Sequence, residues 1–415
     1  DFRALSGSVP AHHRLQPHLT AMKYILLVFD GMSDFPVPDL DGRTPMMAAR
    51  TPFMDDLAPK GLVGKALNHP PDMYAGSDVC NLSILGYDPA KVRCGRGPLE
   101  AASSGIPLNR EDVAFRCNLI STDGKLLLDS SAGHIPTDDA KQLIELLQQK
   151  LGGQFVQFYP GVSYRHIMVW RGGSDDLRCF EPYRHLDEPL EDNMPVGDGV
   201  EKLRRLMWDS LEILDKHPIN RKRRDEGHLP ANMVWFWGHG RVPELETFAV
   251  KFGRTGAVVA AVDLIRGIGR IIGLKVVDVP GATGYVDTNY LGKGEMAFQQ
   301  LEDHDFVFVH VEAADEAGHE KDIEKKIYAI EQLDELVLGT ILHRMKRFDD
   351  FRLLVLPDHP TPVSTGVHAP DPVPFLLYDS RRERDNRIPF DERALEEAKT
   401  FVDDGPRLIE MLFEK

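Results

Sequence analysis

The sequence predicts an α/β fold, a sheet with helices on both faces and a smaller inserted α+β unit. Apolar runs of strand length recur along the chain and stop abruptly at polar residues, and amphipathic helical stretches separate several of them. The middle of the chain breaks this rhythm.

The first run, residues 24–29, is uninterrupted and ends at Asp30-Gly31. Such continuity suits a strand buried on both faces of a parallel sheet. Comparable runs are 233–237 before Gly238, 257–262 before Asp263, 306–311 before Glu312, 352–356 before Asp358, and 374–378. Between runs, residues 322–347 place Ile323, Ile327, Ile330, Leu333, Val337 and Ile341 at helical steps. In the middle, 113–120, 155–159 and 165–170 read as strands, while 138–151 and 200–214 read as amphipathic helices. The insert is therefore expected at 104–230, and the host domain at 22–103 and 231–415. Residues 1–21, with His12, His13 and His18, are expected to be a disordered extension before a folded protein that begins at Met22.

With 415 residues, 42% hydrophobic and 27% charged, the chain has material for two domains and a sizeable core. Its 49 basic against 65 acidic residues give a net charge of -16, which argues against nucleic-acid and anionic-membrane binding. An anionic small substrate would need a local basic pocket. Cys80, Cys94, Cys117 and Cys179 form no CxxC pair, and no apolar run is long enough for a membrane span; a cytoplasmic location fits both.

Ligands of open α/β sheets bind beyond the carboxyl ends of the strands, so the residues that end the apolar runs matter most. They include Asp30, Asp315 and His319 in an Asp-x-x-x-His step, and Asp358-His359; His368 precedes the last run. Alone, Asp-Gly is a turn, Asp-x-x-x-His a helix start and Asp-His-Pro a loop. Together, carboxylates and neutral imidazoles at strand ends suit a borderline divalent ion such as Mn²⁺ or Zn²⁺ better than Ca²⁺. Ser77 opens an apolar helical segment, where it can serve as an N-cap or as a nucleophile beside helix N–H groups that bind phosphate.

The segments 28–31, 76–79, 315–319, 357–359 and 368–375 resemble the signature of cofactor-independent phosphoglycerate mutases of the archaeal-type branch, in the alkaline phosphatase superfamily. Leu85 to Pro89, Gly95 to Ala102 and Pro280 to Tyr285 are similar to that branch too. The resemblance spans residues 22 to the C-terminus and implies an alkaline-phosphatase-like sheet. It also implies two divalent metal ions, one held by Asp315, His319 and His368, the other by Asp30, Asp358, His359 and the Ser77 oxygen. Ser77 would carry the phosphoryl group between the 3- and 2-hydroxyls of glycerate, with no 2,3-bisphosphoglycerate.

A mutase must keep water from its phosphoserine, and an insert that closes over the site would do so. Arg116, His134, Arg165, Arg221 and Arg224 are the anion-binding candidates there, and Arg241 and Arg266 resemble in position the family's phosphate-binding basic residues. Each is equally compatible with a solvated surface role. The insert is short. The wording at 220–224 and 357–362 also resembles bacterial sequences proposed as homoserine kinases, so phosphoryl transfer to another small alcohol is the enzymatic alternative. A noncatalytic phosphometabolite-binding module is the other. No P-loop GxxxxGK[ST] is present.

Overall fold

Strand β1 (Lys23–Phe29) is apolar without interruption because helices cover both of its faces: Ile25, Leu27 and Phe29 enter one core, Tyr24, Leu26 and Val28 the other. The computed structural model describes residues 22–92, 94–348 and 350–414; the extension expected at 1–21 lies outside the described residues.

In chain order the next strands are β2 (Leu62–Ala66), β3 (Val113–Thr122), β4 (Leu127–Asp129), β5 (Val156–Tyr159), β6 (Arg165–Trp170), β7 (Leu177–Arg178) and β8 (Val196–Gly197). There follow β9 (Met233–Gly240), β10 (Gly256–Val259), β11 (Lys275–Val277), β12 (Phe306–Val311), β13 (Phe351–Leu356), β14 (Val373–Asp379) and β15 (Phe401–Val402). An eight-stranded sheet has the order β11-β10-β12-β1-β13-β14-β2-β15. Its neighbours run parallel except where β14 pairs with β13 and with β2.

That reversal sets the site. The carboxyl ends of β12, β1 and β13, three adjacent strands, share one edge, and the antiparallel β14 starts from the same edge. His368, which precedes β14, therefore arrives beside residues that follow the other strands. β2 ends there as well, before the loop that leads to Ser77.

A second sheet joins β4, β3, β6 and β5, with β9 paired to β3. The 233–237 run, which the sequence groups with the host strands, thus belongs to the second sheet, which extends to Gly240. A run buried on both faces carries no mark of which sheet it joins. Helices Thr137–Lys150 and Val200–Leu214 bury their apolar sides against this sheet, with Leu143, Leu147, Leu203 and Met207 fully covered. The periodic stretch from Ile323 forms one run of helix, α from Ile323–Gln332, π over Leu333–Leu338 and α again over Gly339–Met345, capped by Asp322. Among the described residues no helix is long and apolar enough to cross a membrane.

Candidate active site

Asp30 follows β1 directly, and Gly31 turns the chain at φ +60. A Cβ there would lie 2.5 Å from Asp315 Oδ1, so glycine serves both the turn and the approach of Asp315. The Gly31 N–H donates to Asp358 Oδ1 at 3.1 Å, and Asn81 Nδ2 donates to Asp358 Oδ2 at 2.8 Å. Asn81 lies one turn along the helix Ser77–Ile84, so a single hydrogen bond ties the serine helix to the carboxylate after β13. Gly76 occupies the N-cap position, and the Ser77 hydroxyl faces His359 Nε2 at 3.3 Å.

Two clusters form. In the first, Asp315 Oδ2 lies 3.1 Å from His319 Nε2, and Asp315 Oδ1 lies 3.5 Å from His368 Nε2. The two Nε2 atoms face each other at 3.1 Å, while each Nδ1 faces a backbone carbonyl at 2.9 Å, Gly366 for His319 and Ala75 for His368. A carbonyl can only accept, so both Nδ1 atoms carry the proton and both Nε2 atoms in the neutral rings present lone pairs to the same point. In the second, His359 Nε2 lies 3.4 Å from Asp30 Oδ1 and 3.5 Å from Asp358 Oδ2. Both Asp30 oxygens are buried without a hydrogen-bond partner. Thr361 Oγ1 donates to Asp315 Oδ1 and lies 3.3 Å from His359 Nδ1, linking the clusters.

The donor atoms of Asp315, His319 and His368 lie within 4.8 Å of one another, as do those of Asp30, Asp315 and His359. Burial, with repulsion from Asp358 and Asp315, pushes the Asp30 carboxyl well above the usual range. Where a proton and not a cation occupies His319 Nε2, its hydrogen bond to Asp315 raises the ring to about 9. Crowded carboxylates with converging imidazole nitrogens offer a divalent cation the same atoms that otherwise take up protons.

The sequence reading missed His310, Arg96 and Glu100. His310 Nε2 lies 3.1 Å from Asp30 Oδ2, within a cluster that includes Asp358. A histidine inside the apolar run of β12 was the available signal. Arg96 and Glu100 sit four residues apart on the helix Arg96–Ser103, in the 95–102 segment.

A cleft of about 450 Å³ opens over the first cluster, lined among others by Ser77, Arg96, Glu100, Arg116, Arg165, Asp315, His319 and His368. Arg116 is buried, stacks over Trp237 at 4.4 Å, and has its Nε 3.3 Å from Glu100 Oε2. Of the expected anion-binding residues, Arg116 and Arg165 reach the cleft, whereas His134, Arg221, Arg241 and Arg266 do not line it. Arg241 pairs with Glu111 and Asp175, Arg266 with Asp278. His134 packs edge-on against Tyr164, Arg221 is exposed on the helix Pro218–Asp225, and Arg224 pairs with Asp215.

Beneath the clusters, Lys326 Nζ donates to Asp34 Oδ2 at 2.7 Å, Thr361 O at 2.8 Å and Ser33 O at 3.2 Å, with no exposed surface. It joins the loop after Asp30 to the loop after His359.

A family profile described as 2,3-bisphosphoglycerate-independent phosphoglycerate mutase matches residues 58–220. A Geobacter sulfurreducens protein described as "Probable 2,3-bisphosphoglycerate-independent phosphoglycerate mutase" is 48% identical over 95% of this chain and 100% of its own. A Methanosarcina mazei 2,3-bisphosphoglycerate-independent phosphoglycerate mutase is 47% identical over 90% of this chain and 95% of its own. Among solved structures, a Pyrococcus horikoshii protein superposes with a TM-score of 0.80 at 29% identity, covering 95% of this chain and 97% of its own. The cofactor-independent phosphoglycerate mutase from Thermoplasma acidophilum gives 0.69 at 26% identity, covering 94% and 99%.

Proposed function

The chain belongs to the family of 2,3-bisphosphoglycerate-independent phosphoglycerate mutases, and from that membership we propose that it interconverts 3-phosphoglycerate and 2-phosphoglycerate through a phosphoserine at Ser77. The observation that carries the reading is one cleft containing Ser77, the Asp315-His319-His368 cluster and three arginines. Asp315, His319 and His368 would hold one divalent cation; Asp30, Asp358, His359 and Ser77 would hold the other. Mn²⁺ and Zn²⁺ are the ions such donors suit. When bound, they supply Lewis-acid charge to phosphoryl oxygens and favour ionisation of a neighbouring alcohol.

The chain's own residues do the rest. The first-turn N–H groups of the helix Ser77–Ile84 stand where a phosphoryl group on Ser77 would need donors. Asn81 fixes Asp358 and the Ser77 carbonyl together, each at 2.8 Å. Arg96, Arg116 and Arg165 offer bidentate donors to a small anionic phosphometabolite that carries both carboxylate and phosphate. In this reading the insert at 104–230, with the strand to Gly240, is the lid: Arg116 comes from β3 and Arg165 from β6. Closed over glycerate, it would keep the alcohol in place and water away from phosphoserine. In this reading the protein works in glycolysis and gluconeogenesis, in the cytoplasm.

Arg116→Ala and Arg165→Ala should each lower mutase turnover by about 10- to 100-fold, the worth of a charged hydrogen bond. Hydrolysis of an aryl phosphate, whose leaving alcohol need not be retained, should fall less. Equal losses in steady-state assays of both reactions would remove the lid from the account. The reading itself is tested by phosphorus NMR of metal-loaded protein with 3-phosphoglycerate, with and without ATP and homoserine. Conversion to 2-phosphoglycerate without ATP, abolished by a chelator, supports it; ATP-dependent phosphohomoserine alone would make the chain a kinase.

A further inference from the structure

Transfer between two hydroxyls of one glycerate requires a proton to be given to one oxygen and taken from the other. The cleft holds five carboxylates. Asp315 belongs to the cation clusters, and Glu312 and Glu316 flank it on the same segment. Asp263 is engaged by Ser103, whose hydroxyl donates to it at 2.7 Å. Glu100 remains. Its side chain is 21% exposed and lines the same cleft as Ser77, with Arg96 and Arg165 beside it in that lining and Arg116 Nε 3.3 Å away.

We propose that Glu100 is the acid–base group for the glycerate hydroxyls, an inference that rests on the mutase reading above. As the bond between phosphorus and the 3-oxygen breaks and the phosphoryl group passes to an ionised Ser77 oxygen, protonated Glu100 gives its proton to the departing oxygen. Glycerate then turns. Glu100, now a carboxylate, takes the proton of the 2-hydroxyl as that oxygen bonds to phosphorus and the bond to Ser77 breaks. Glu100 ends protonated and Ser77 ionised, as both began. One group can serve both steps because each oxygen must in turn occupy the same place opposite Ser77.

The surroundings suit proton exchange. Burial raises the Glu100 pKa, and this outweighs the opposing pull of Arg116; Asp263 adds repulsion, while Arg165 and Arg96 favour the carboxylate. Arg96, one helical turn before Glu100, is placed to anchor the substrate's own anionic groups on the same face.

The test compares Glu100→Gln with wild type on 3-phosphoglycerate and on a series of aryl and alkyl phosphates of rising leaving-group pKa. Proton donation matters little for p-nitrophenolate and greatly for an alkoxide, so the loss should grow along the series. It should be about 100-fold larger for 3-phosphoglycerate than for p-nitrophenyl phosphate. Phosphorylation of Ser77 by p-nitrophenyl phosphate also shows that the variant is folded. An equal loss along the whole series would overturn the proposal and leave Glu100 as a group that only orients Arg116. If wild type itself forms no 2-phosphoglycerate, the mutase reading falls and the proposal falls with it.

Discussion

Ser77→Ala is expected to lower mutase turnover by about 10⁴-fold or more, the scale on which removing a nucleophile acts. The variant loses one oxygen at the first position of the helix Ser77–Ile84, but Gly76 and not Ser77 is the N-cap, and no buried apolar volume changes. Stability should therefore stay within about 0.5 kcal/mol of wild type, as for substitutions that touch no cap or core. Mass spectrometry after a brief exposure to 3-phosphoglycerate should find one phosphate on Ser77 in wild type and none at that position in the variant. Substantial turnover by the variant would mean that the hydroxyl merely faces His359.

The largest expected effect on stability is at Lys326. Lys326→Met removes a fully buried ammonium and leaves the Asp34 carboxylate, with the carbonyls of Ser33 and Thr361, short of a donor. Breaking such a pair costs about 3–5 kcal/mol. Asp34 keeps the Val363 N–H at 3.1 Å, so the lower end of that range is the better expectation. Because the ammonium ties together the loops beyond Asp30 and His359, cation affinity should fall as well, by about 10- to 100-fold. Urea unfolding measures the first quantity and metal titration the second. A cost below about 1 kcal/mol would show that the charged pair is balanced by its own desolvation.

Much of this architecture was legible because chemistry and burial write it into the chain. A strand covered on both faces must be apolar throughout, so β1, β12 and β13 stand out, and their ends mark Asp30, Asp315 and Asp358. Direction of pairing is not written that way. Nothing in residues 373–379 says that β14 runs antiparallel, yet only that reversal brings His368 to Asp315 and His319. For the same reason β9 reads like a host strand. Arginine roles were the least legible: Arg266 meets Asp278 twelve residues on, and Arg241 meets Glu111 130 residues back, and neither partner can be inferred from spacing. Arg96 and Glu100 were hidden in plain amphipathic helix, since a charged pair at a four-residue step is ordinary on a solvated face.

The central position of β1 dictates an order of assembly on the ribosome. Its neighbours, β12 and β13, come from the last third of the chain; Lys23 Nζ binds the carbonyl of His304, 281 residues away. Strands β3 to β6 and β9, by contrast, pair only with one another and are complete once Gly240 has emerged. The second sheet can therefore close while the first strand of the main sheet still lacks both partners. Until Phe351 to Leu356 has been translated, the apolar Tyr24 to Phe29 run has nothing to pair with on one side, a long wait for a segment suited to aggregation. Nascent-chain proteolysis at successive lengths would follow the sequence of events: protection of Val113 to Gly240 first, and protection of β1 only near the end of synthesis.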